Sequence, residues 1–247
     1  MKKLFLVVSF LMVLMLVPMA MAYQISTVGG YGPYQTGQGG EFTVLPTGFD
    51  PLYLYDAKAK NVYTSGTFQT FCIEGNEYIY ANTTFDVIFN TKAVYGSVGP
   101  AGDPLSVGAA WLYHEFQIAG NFDGLATYDY TNPGRSGITV PPSSADLLQK
   151  AIWWLEGEES IGYDASNPFM VAVVTKFGTE AKAKWDNDGT YGQYPVAVLN
   201  LYEAGYAGDA NHLRQDVLVC VPEPATMLLL GSGLIGLAGF ARKRFKK

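Results

Sequence analysis

The sequence predicts an α+β protein: an antiparallel β-sandwich or barrel-like body with two or three inserted helices. Three observations lead to this prediction. Residues 61–90 are rich in Thr, Tyr, Phe, Ile and Val, which favour strands. Segments in the middle of the chain repeat apolar residues at helical spacing. Two apolar runs near the end, residues 194–202 and 214–221, return to strand character.

The first strands follow a glycine-rich opening. Residues 23–40 contain the stretch VGGYGPYQTGQGG, which predicts a flexible leader. From Glu41 onward the apolar residues alternate with polar ones, as Phe42 and Val44 do, and turn residues separate the runs. We therefore expect short strands to begin at Glu41.

The first helix is predicted over residues 103–119. Val107, Trp111 and Phe116 recur there at helical spacing. Pro104 suits the first turn of a helix that Asp103 caps.

A second helix is predicted over residues 144–156. Ser143 and Asp146 form an N-terminal capping pattern, and the two prolines before them prevent an earlier start. A third helix is predicted over residues 168–185.

The N-terminus predicts export. Lys2 and Lys3 precede a long apolar run that closes on Ala20-Met21-Ala22, an Ala-x-Ala pattern typical of a signal peptide cleaved before Tyr23. A retained membrane anchor is the alternative.

The C-terminus contains three signals in order. Pro222, Glu223 and Pro224 precede an uncharged apolar stretch, residues 225–241, and a basic tail follows it. The stretch is predicted to be a transmembrane helix, with the basic tail in the cytoplasm and the body outside the inner membrane.

This arrangement resembles the PEP-CTERM sorting signal of Gram-negative bacteria, over residues 222–247. The resemblance implies that an exosortase recognises the Pro-Glu-Pro motif, removes the span and passes the protein to the cell surface or the exopolysaccharide matrix. A permanent tail anchor is the alternative. The expected organisation is a signal peptide (1–22), the leader (23–40), an extracytoplasmic domain (41–221) and the sorting signal (222–247).

The body between the two targeting ends is acidic. Residues 23–221 contain nine Lys and Arg against 21 Asp and Glu, a net charge of −12. Because such a surface repels phosphate backbones, nucleic acid is not expected as a partner.

The chain has two cysteines, Cys72 and Cys220. In an exported protein a pair of cysteines predicts a disulfide. Cys220 lies close to the sorting motif, where a structural crosslink is poorly placed, so a second role for Cys72 stays open.

Two short stretches, Phe71-Cys72-Ile73-Glu74 and Gln149-Lys150-Ala151-Ile152-Trp153, resemble the internal thioester domains of bacterial surface adhesins. The resemblance implies that the Cys72 sulfur displaces ammonia from the Gln149 side chain. A sulfur held against a carboxamide at near-attack distance is the physical requirement for this bond. In the alternative, Gln149 is a helix residue that hydrogen-bonds backbone or water.

The predicted function is covalent adhesion by an exosortase-sorted surface or matrix protein. The thioester would couple once to an amine or hydroxyl on a surface polymer or exopolysaccharide, so neither enzymatic turnover nor a cofactor or metal is expected. His114 is a candidate base or a packing residue. The alternatives are a non-covalent structural or carbohydrate-binding matrix protein and, less favoured, a secreted hydrolase that uses Glu74 and the acids of residues 156–159.

Overall fold

The body of the protein is an antiparallel β-sheet. A computed structural model describes residues 23–32, 34–35, 39–51, 66–95, 99–118, 120–130, 143–188 and 194–221. The strands of this part are β1 (Gln24–Thr27), β2 (Phe42–Thr47), β3 (Phe68–Thr70), β4 (Thr84–Asn90), β5 (Lys92–Tyr95), β6 (Gly99–Pro104), β7 (Val196–Glu203) and β8 (Val217–Cys220). Six of them form one sheet in the order β3-β2-β1-β4-β7-β8, and β5 pairs with β6.

The six-stranded sheet curls until its two edges meet. Just beyond β3, the Ile73 N–H donates to the Asp216 carbonyl at 3.0 Å, and the Leu218 N–H donates to the Phe71 carbonyl at 3.3 Å. The edges that an open sheet would leave unpaired are therefore joined for a few residues. The predicted antiparallel, barrel-like body is confirmed as a nearly closed sheet.

Four α-helices in the described part lie between β6 and β7 along the chain. They are α1 (Val107–Ile118), α2 (Ser144–Glu156), α3 (Pro168–Phe177) and α4 (Glu180–Ala183). The side chains of Trp111 and Tyr113 on α1 are fully buried. A helix that is apolar on most sides belongs at the centre of its layer.

The start of α1 differs from the prediction. Residues 103–104 belong to β6, where Pro104 pairs with Lys92, and the helix begins only at Val107. Ser106 supplies the cap, since its Oγ accepts the Ala109 N–H at 3.2 Å. The pairing of β6 and the cap at Ser106 therefore decide where α1 begins, and Asp103-Pro104 does not.

The bounds predicted for α2 are confirmed. Ser143 Oγ accepts the Asp146 N–H at 3.2 Å, and the helix ends at Gly157, whose φ of 77° is left-handed. The third predicted helix is two helices, α3 and α4. Gly178, with a φ of 80°, ends α3, and Thr179 caps α4.

The prediction of a flexible leader over residues 23–40 is wrong for part of that segment. Residues Gln24–Thr27 form β1, which pairs with β2 on one side and β4 on the other. The Ile25 side chain is fully buried. Four residues are too short to produce a clear alternation, and hydrogen bonds on both sides of the strand stabilise it instead.

Two apolar layers lie on opposite sides of the sheet. The barrel interior is lined by Ile25, Phe42, Val44, Phe68, Cys72, Ile79, Phe85, Val87, Leu199, Leu201, Val217 and Val219. The second layer lies between the sheet and the helices and contains α1 and the buried faces of α2 and α3. Successive β8 residues alternate between the layers, as the pleat of a strand requires.

The predicted signal peptide, the sorting signal with its span, and residues 61–65 of the predicted β-region lie outside the described residues. Among the helices that the structure describes, none has the length and apolar character needed to span a bilayer.

Candidate functional site

The side chain of Gln149 is buried and binds backbone on two different segments. Its Oε1 accepts the Gly40 N–H at 2.8 Å and the Cys72 N–H at 3.0 Å. Its Nε2 donates to the Cys72 carbonyl at 2.8 Å. The structure thus brings together the two residues that the sequence singles out, with the Gln149 carboxamide against the Cys72 backbone.

The carboxamide takes the place of a strand at the end of the sheet ladder. β2 and β3 pair in the register Phe42 with Thr70, so Gly40 and Cys72 would lie opposite each other two residues further along. At this point the Gln149 carboxamide hydrogen-bonds the N–H of Gly40 and the N–H and carbonyl of Cys72. A primary amide resembles a peptide group, so it satisfies backbone groups that would otherwise be buried without partners.

Two glycines permit this approach. A Cβ on Gly39 would lie 2.4 Å from Gln149 Cγ, and a Cβ on Gly40 would lie 2.9 Å from both the Phe71 ring and the Thr70 carbonyl. Sequence reasoning placed both glycines in the flexible leader and missed their role. The available signal was a Gly-Gly pair directly before a strand, since glycine in that position often marks a close backbone approach.

Glu41 anchors the segment that contains these glycines. Its buried carboxylate accepts the Tyr128 hydroxyl at 2.6 Å and the Tyr130 hydroxyl at 3.4 Å. A buried carboxyl group needs such partners, because a buried polar group without hydrogen bonds costs free energy. Tyr128 and Tyr130 therefore hold the chain next to Gly40 against the helix layer.

The Cys72 side chain is buried among apolar residues. Its side chain belongs to the barrel interior, while its neighbours Phe71 and Ile73 face the helix layer. Burial raises the pKa of the Cys72 thiol, and the carboxylate of Glu77 raises it further. The thiol is therefore protonated at neutral pH.

A cleft of about 210 Å³ reaches Cys72 from outside. Its lining residues are Tyr31, Gln35, Phe42, Cys72, Glu77, Tyr78, Ile79 and Gln215. One turn along α2 from Gln149, Trp153 packs against the barrel interior, whereas Trp154 packs into the helix layer. The tryptophan pair thus covers both sides of the junction between α2 and the sheet.

The second cysteine faces the other layer. Cys220 pairs with Val196 across β7 and β8 and packs among the helices, and both cysteines are free thiols. Burial raises the pKa of the Cys220 thiol as well. Because the two side chains lie on opposite sides of the sheet, the disulfide alternative does not fit this arrangement.

His114 is not among the residues that line the cleft. Its ring lies 5.6 Å from that of Tyr194, and its Nδ1 lies 3.6 Å from the Glu115 carboxylate. These contacts fit the packing role rather than a base for Cys72. Within the described ranges, no cluster of three or more His, Cys, Asp or Glu residues could hold a metal ion.

Two acids of the hydrolase alternative make structural contacts. Glu156 accepts the Ser106 hydroxyl at 2.6 Å, and Glu158 accepts the Gly75 N–H at 3.1 Å. Burial raises the pKa of Glu156 to about 7, against the opposing effect of the Ser106 hydrogen bonds. Neither residue lines the cleft at Cys72.

The comparison with protein families matches residues 221–244 to the PEP-CTERM protein-sorting motif. The chain carries an exosortase sorting signal. The match confirms the predicted PEP-CTERM sorting signal, and its range contains Pro222, Glu223 and Pro224, whose individual roles stay a prediction. PEP-CTERM proteins are secreted, are anchored in the membrane before processing, and are processed by exosortase. No curated protein and no solved structure matches the chain.

Proposed function

We propose that the body of this exosortase substrate is a covalent coupling domain, in which Cys72 and Gln149 form an internal thioester. The observation that supports it is the three-point binding of the Gln149 carboxamide by Gly40 and Cys72. A reactive carbonyl held in one orientation beside the cysteine residue meets the main entropic requirement for the bond.

Thioester formation balances in protons because the attacking thiol is neutral. The Cys72 sulfur attacks Cδ of Gln149, the Cδ–Nε2 bond breaks, and the thiol proton leaves with the amide nitrogen as ammonia. No external base, metal or cofactor enters this balance.

The two N–H groups on Oε1 assist the same step. Negative charge develops on that oxygen during attack, and the Gly40 and Cys72 N–H groups already point at it. Such a pair of donors acts as an oxyanion hole, and removing one donor from such a site costs about 100- to 1000-fold in rate.

The thioester would couple once. An amine or hydroxyl on a cell-surface or matrix polymer attacks Cδ, the sulfur leaves as the thiol, and Gln149 stays joined to the target. Export with removal of the C-terminal span presents the domain to such a polymer, so we expect covalent adhesion rather than enzymatic turnover.

The test is the intact mass of the exported chain, purified without reductant. We expect a deficit of one ammonia that disappears in Cys72→Ala and Gln149→Ala and persists in Cys220→Ala. Methylamine should add its full mass and release one thiol. A thioester lost by hydrolysis would leave a glutamate side chain at position 149, which peptide mass spectrometry detects. Full sequence mass with unaltered Gln149 contradicts the proposal.

A second candidate, non-covalent carbohydrate binding, is favoured by exposed tyrosine rings, of which Tyr78 lines the cleft. Tyr78, Tyr80 and Tyr206 are 65%, 50% and 47% exposed. Arg214 lies over the Tyr80 ring at 5.5 Å, and Tyr206 stacks on His212 at 3.7 Å. Flat rings beside polar groups suit sugars. Saturable oligosaccharide binding by the Cys72→Ala variant, lost in Tyr80→Ala, would support this function.

A further inference from the structure

A carboxylate, that of Glu77, lines the cleft that reaches Cys72. Among the described residues that line it, Glu77 is the only Asp, Glu, Lys or Arg; the rest are aromatic, apolar or uncharged polar residues. A carboxylate in a confined apolar site attracts cations and takes up protons more effectively than one in open water.

A hydrogen bond from Asp216, the residue before β8, holds Glu77 beside the cysteine segment. Its Oε2 accepts the Asp216 N–H at 3.2 Å, and the Asp216 carbonyl accepts the N–H of Ile73, the residue after Cys72. The charge of Glu77 also acts on the thiol, since it raises the pKa of Cys72 in addition to burial. Both observations place the carboxylate within electrostatic reach of the sulfur.

We propose that Glu77 is the acid–base residue of the coupling step and that it makes a protonated primary amine the preferred nucleophile. This inference rests on the thioester proposed above and adds the group that moves the protons.

The proton balance defines what Glu77 does. An ammonium nitrogen loses two protons as it becomes an amide. Glu77 takes the first, which frees the lone pair for attack on Cδ of Gln149, and passes it to solvent. The Cδ–S bond then breaks with its electron pair going to sulfur. Glu77 accepts the second proton from nitrogen and delivers it to the sulfur, because a buried thiolate is a poor leaving group and a thiol is a good one.

The same cleft would accelerate the coupling of a neutral hydroxyl less than that of an ammonium group. The hydroxyl has no charge for the carboxylate to attract, and its proton is much harder to remove than that of an ammonium. Positioned acid–base groups contribute about 100- to 10,000-fold to rate, so Glu77 would bias coupling toward lysine side chains or amino sugars.

The experiment compares two amine probes on the full exported chain. Methylamine is protonated at neutral pH, whereas hydroxylamine is neutral there and needs no initial deprotonation. Coupling rates would be followed by intact mass in wild type, Glu77→Gln, Glu77→Asp and the control Glu180→Gln, which changes an exposed acid on α4.

We expect Glu77→Gln to retain the ammonia deficit but to couple methylamine about 100-fold more slowly, with a clearly smaller effect on hydroxylamine. Glu77→Asp should recover part of the methylamine rate, and Glu180→Gln should match wild type. Equal slowing of both probes, or no slowing, overturns the inference. So does a Glu77→Gln chain without the ammonia deficit, which would make the residue structural. Wild type without the deficit contradicts the thioester itself.

Discussion

Gln149 binds the backbone of Cys72 with both ends of its carboxamide: Oε1 accepts the N–H at 3.0 Å and Nε2 donates to the carbonyl at 2.8 Å. The two residues are 77 positions apart in the chain. A helix side chain thus completes the hydrogen bonding of the sheet just beyond the last pair of β2 and β3.

Removal of the carboxamide should destabilise the fold. Gln149→Ala leaves the Gly40 N–H, the Cys72 N–H and the Cys72 carbonyl buried without that partner. Each unsatisfied group costs about 1–3 kcal/mol, so we expect a total loss of several kcal/mol in the free energy of unfolding, measured by urea denaturation in the Cys72→Ala background, where no thioester forms and the carboxamide keeps its nitrogen.

Lys150→Ala is the matched control for this loss. Lys150 is the next residue on α2 and makes an exposed ion pair with Asp146 at 2.8 Å. Such pairs contribute about 0.3–0.5 kcal/mol. Similar losses in the two variants would show that the carboxamide contributes little to stability.

Added bulk at Gly39 should displace the reactive side chain. Gly39→Ala puts a Cβ 2.4 Å from Gln149 Cγ, so the helix residue must move. Overpacking of this kind costs about 1–3 kcal/mol. We expect the ammonia deficit to fall sharply in the mass spectrum while the circular dichroism stays native.

Gly162→Ala is the control, since nothing lies within 4 Å of the Cβ it adds. A wild-type ammonia deficit in the Gly39→Ala chain would mean that the Gly39 approach is not required for thioester formation.

Stability should fall as pH rises from about 4 to about 8. Burial raises the pKa of Glu156 to about 7 and that of Asp216 to about 8. In the unfolded chain both groups ionise near pH 4. Between those values the folded state binds more protons, so the stabilisation is complete at low pH and is lost as pH rises through each folded pKa.

Glu156→Gln and Asp216→Asn should each make the free energy of unfolding fall less steeply with pH. The slope should change by up to about 1.4 kcal/mol per pH unit in the steepest region. Asp146→Asn, a change at a more exposed acid on α2, serves as the control. The free energy of unfolding would be measured at several pH values. Equal slopes in all the chains would rule out these two buried carboxyls as the cause.

Cys220 should be dispensable for coupling. It packs in the helix layer, away from the barrel interior that contains Cys72. We expect Cys220→Ala to keep both the ammonia deficit and methylamine incorporation, with a modest loss of stability from the smaller side chain. Non-reducing peptide mapping of wild type should find no bridge between the two cysteines. Loss of the ammonia deficit in Cys220→Ala would contradict the placement of the two cysteines on opposite sides of the sheet.

Local signals in the sequence predicted several elements correctly. The bounds of α2 follow from Ser143 and Gly157, because caps and left-handed glycines act through neighbouring backbone groups. The sorting signal is likewise a linear motif, residues 221–244, that can be read without a fold. The start of α1 and the strand β1 were missed because pairing partners distant in the chain decide them.

The sequence by itself determined the fold class, the extent of α2, the export route and the choice of Cys72 and Gln149 as candidates. Only the tertiary structure decided that these two residues meet, that Gly39 and Gly40 make room for the contact, and that Cys220 faces the opposite layer. The physical reason is that strand register and sheet closure fix which distant backbone groups lie side by side, and no local propensity encodes that arrangement.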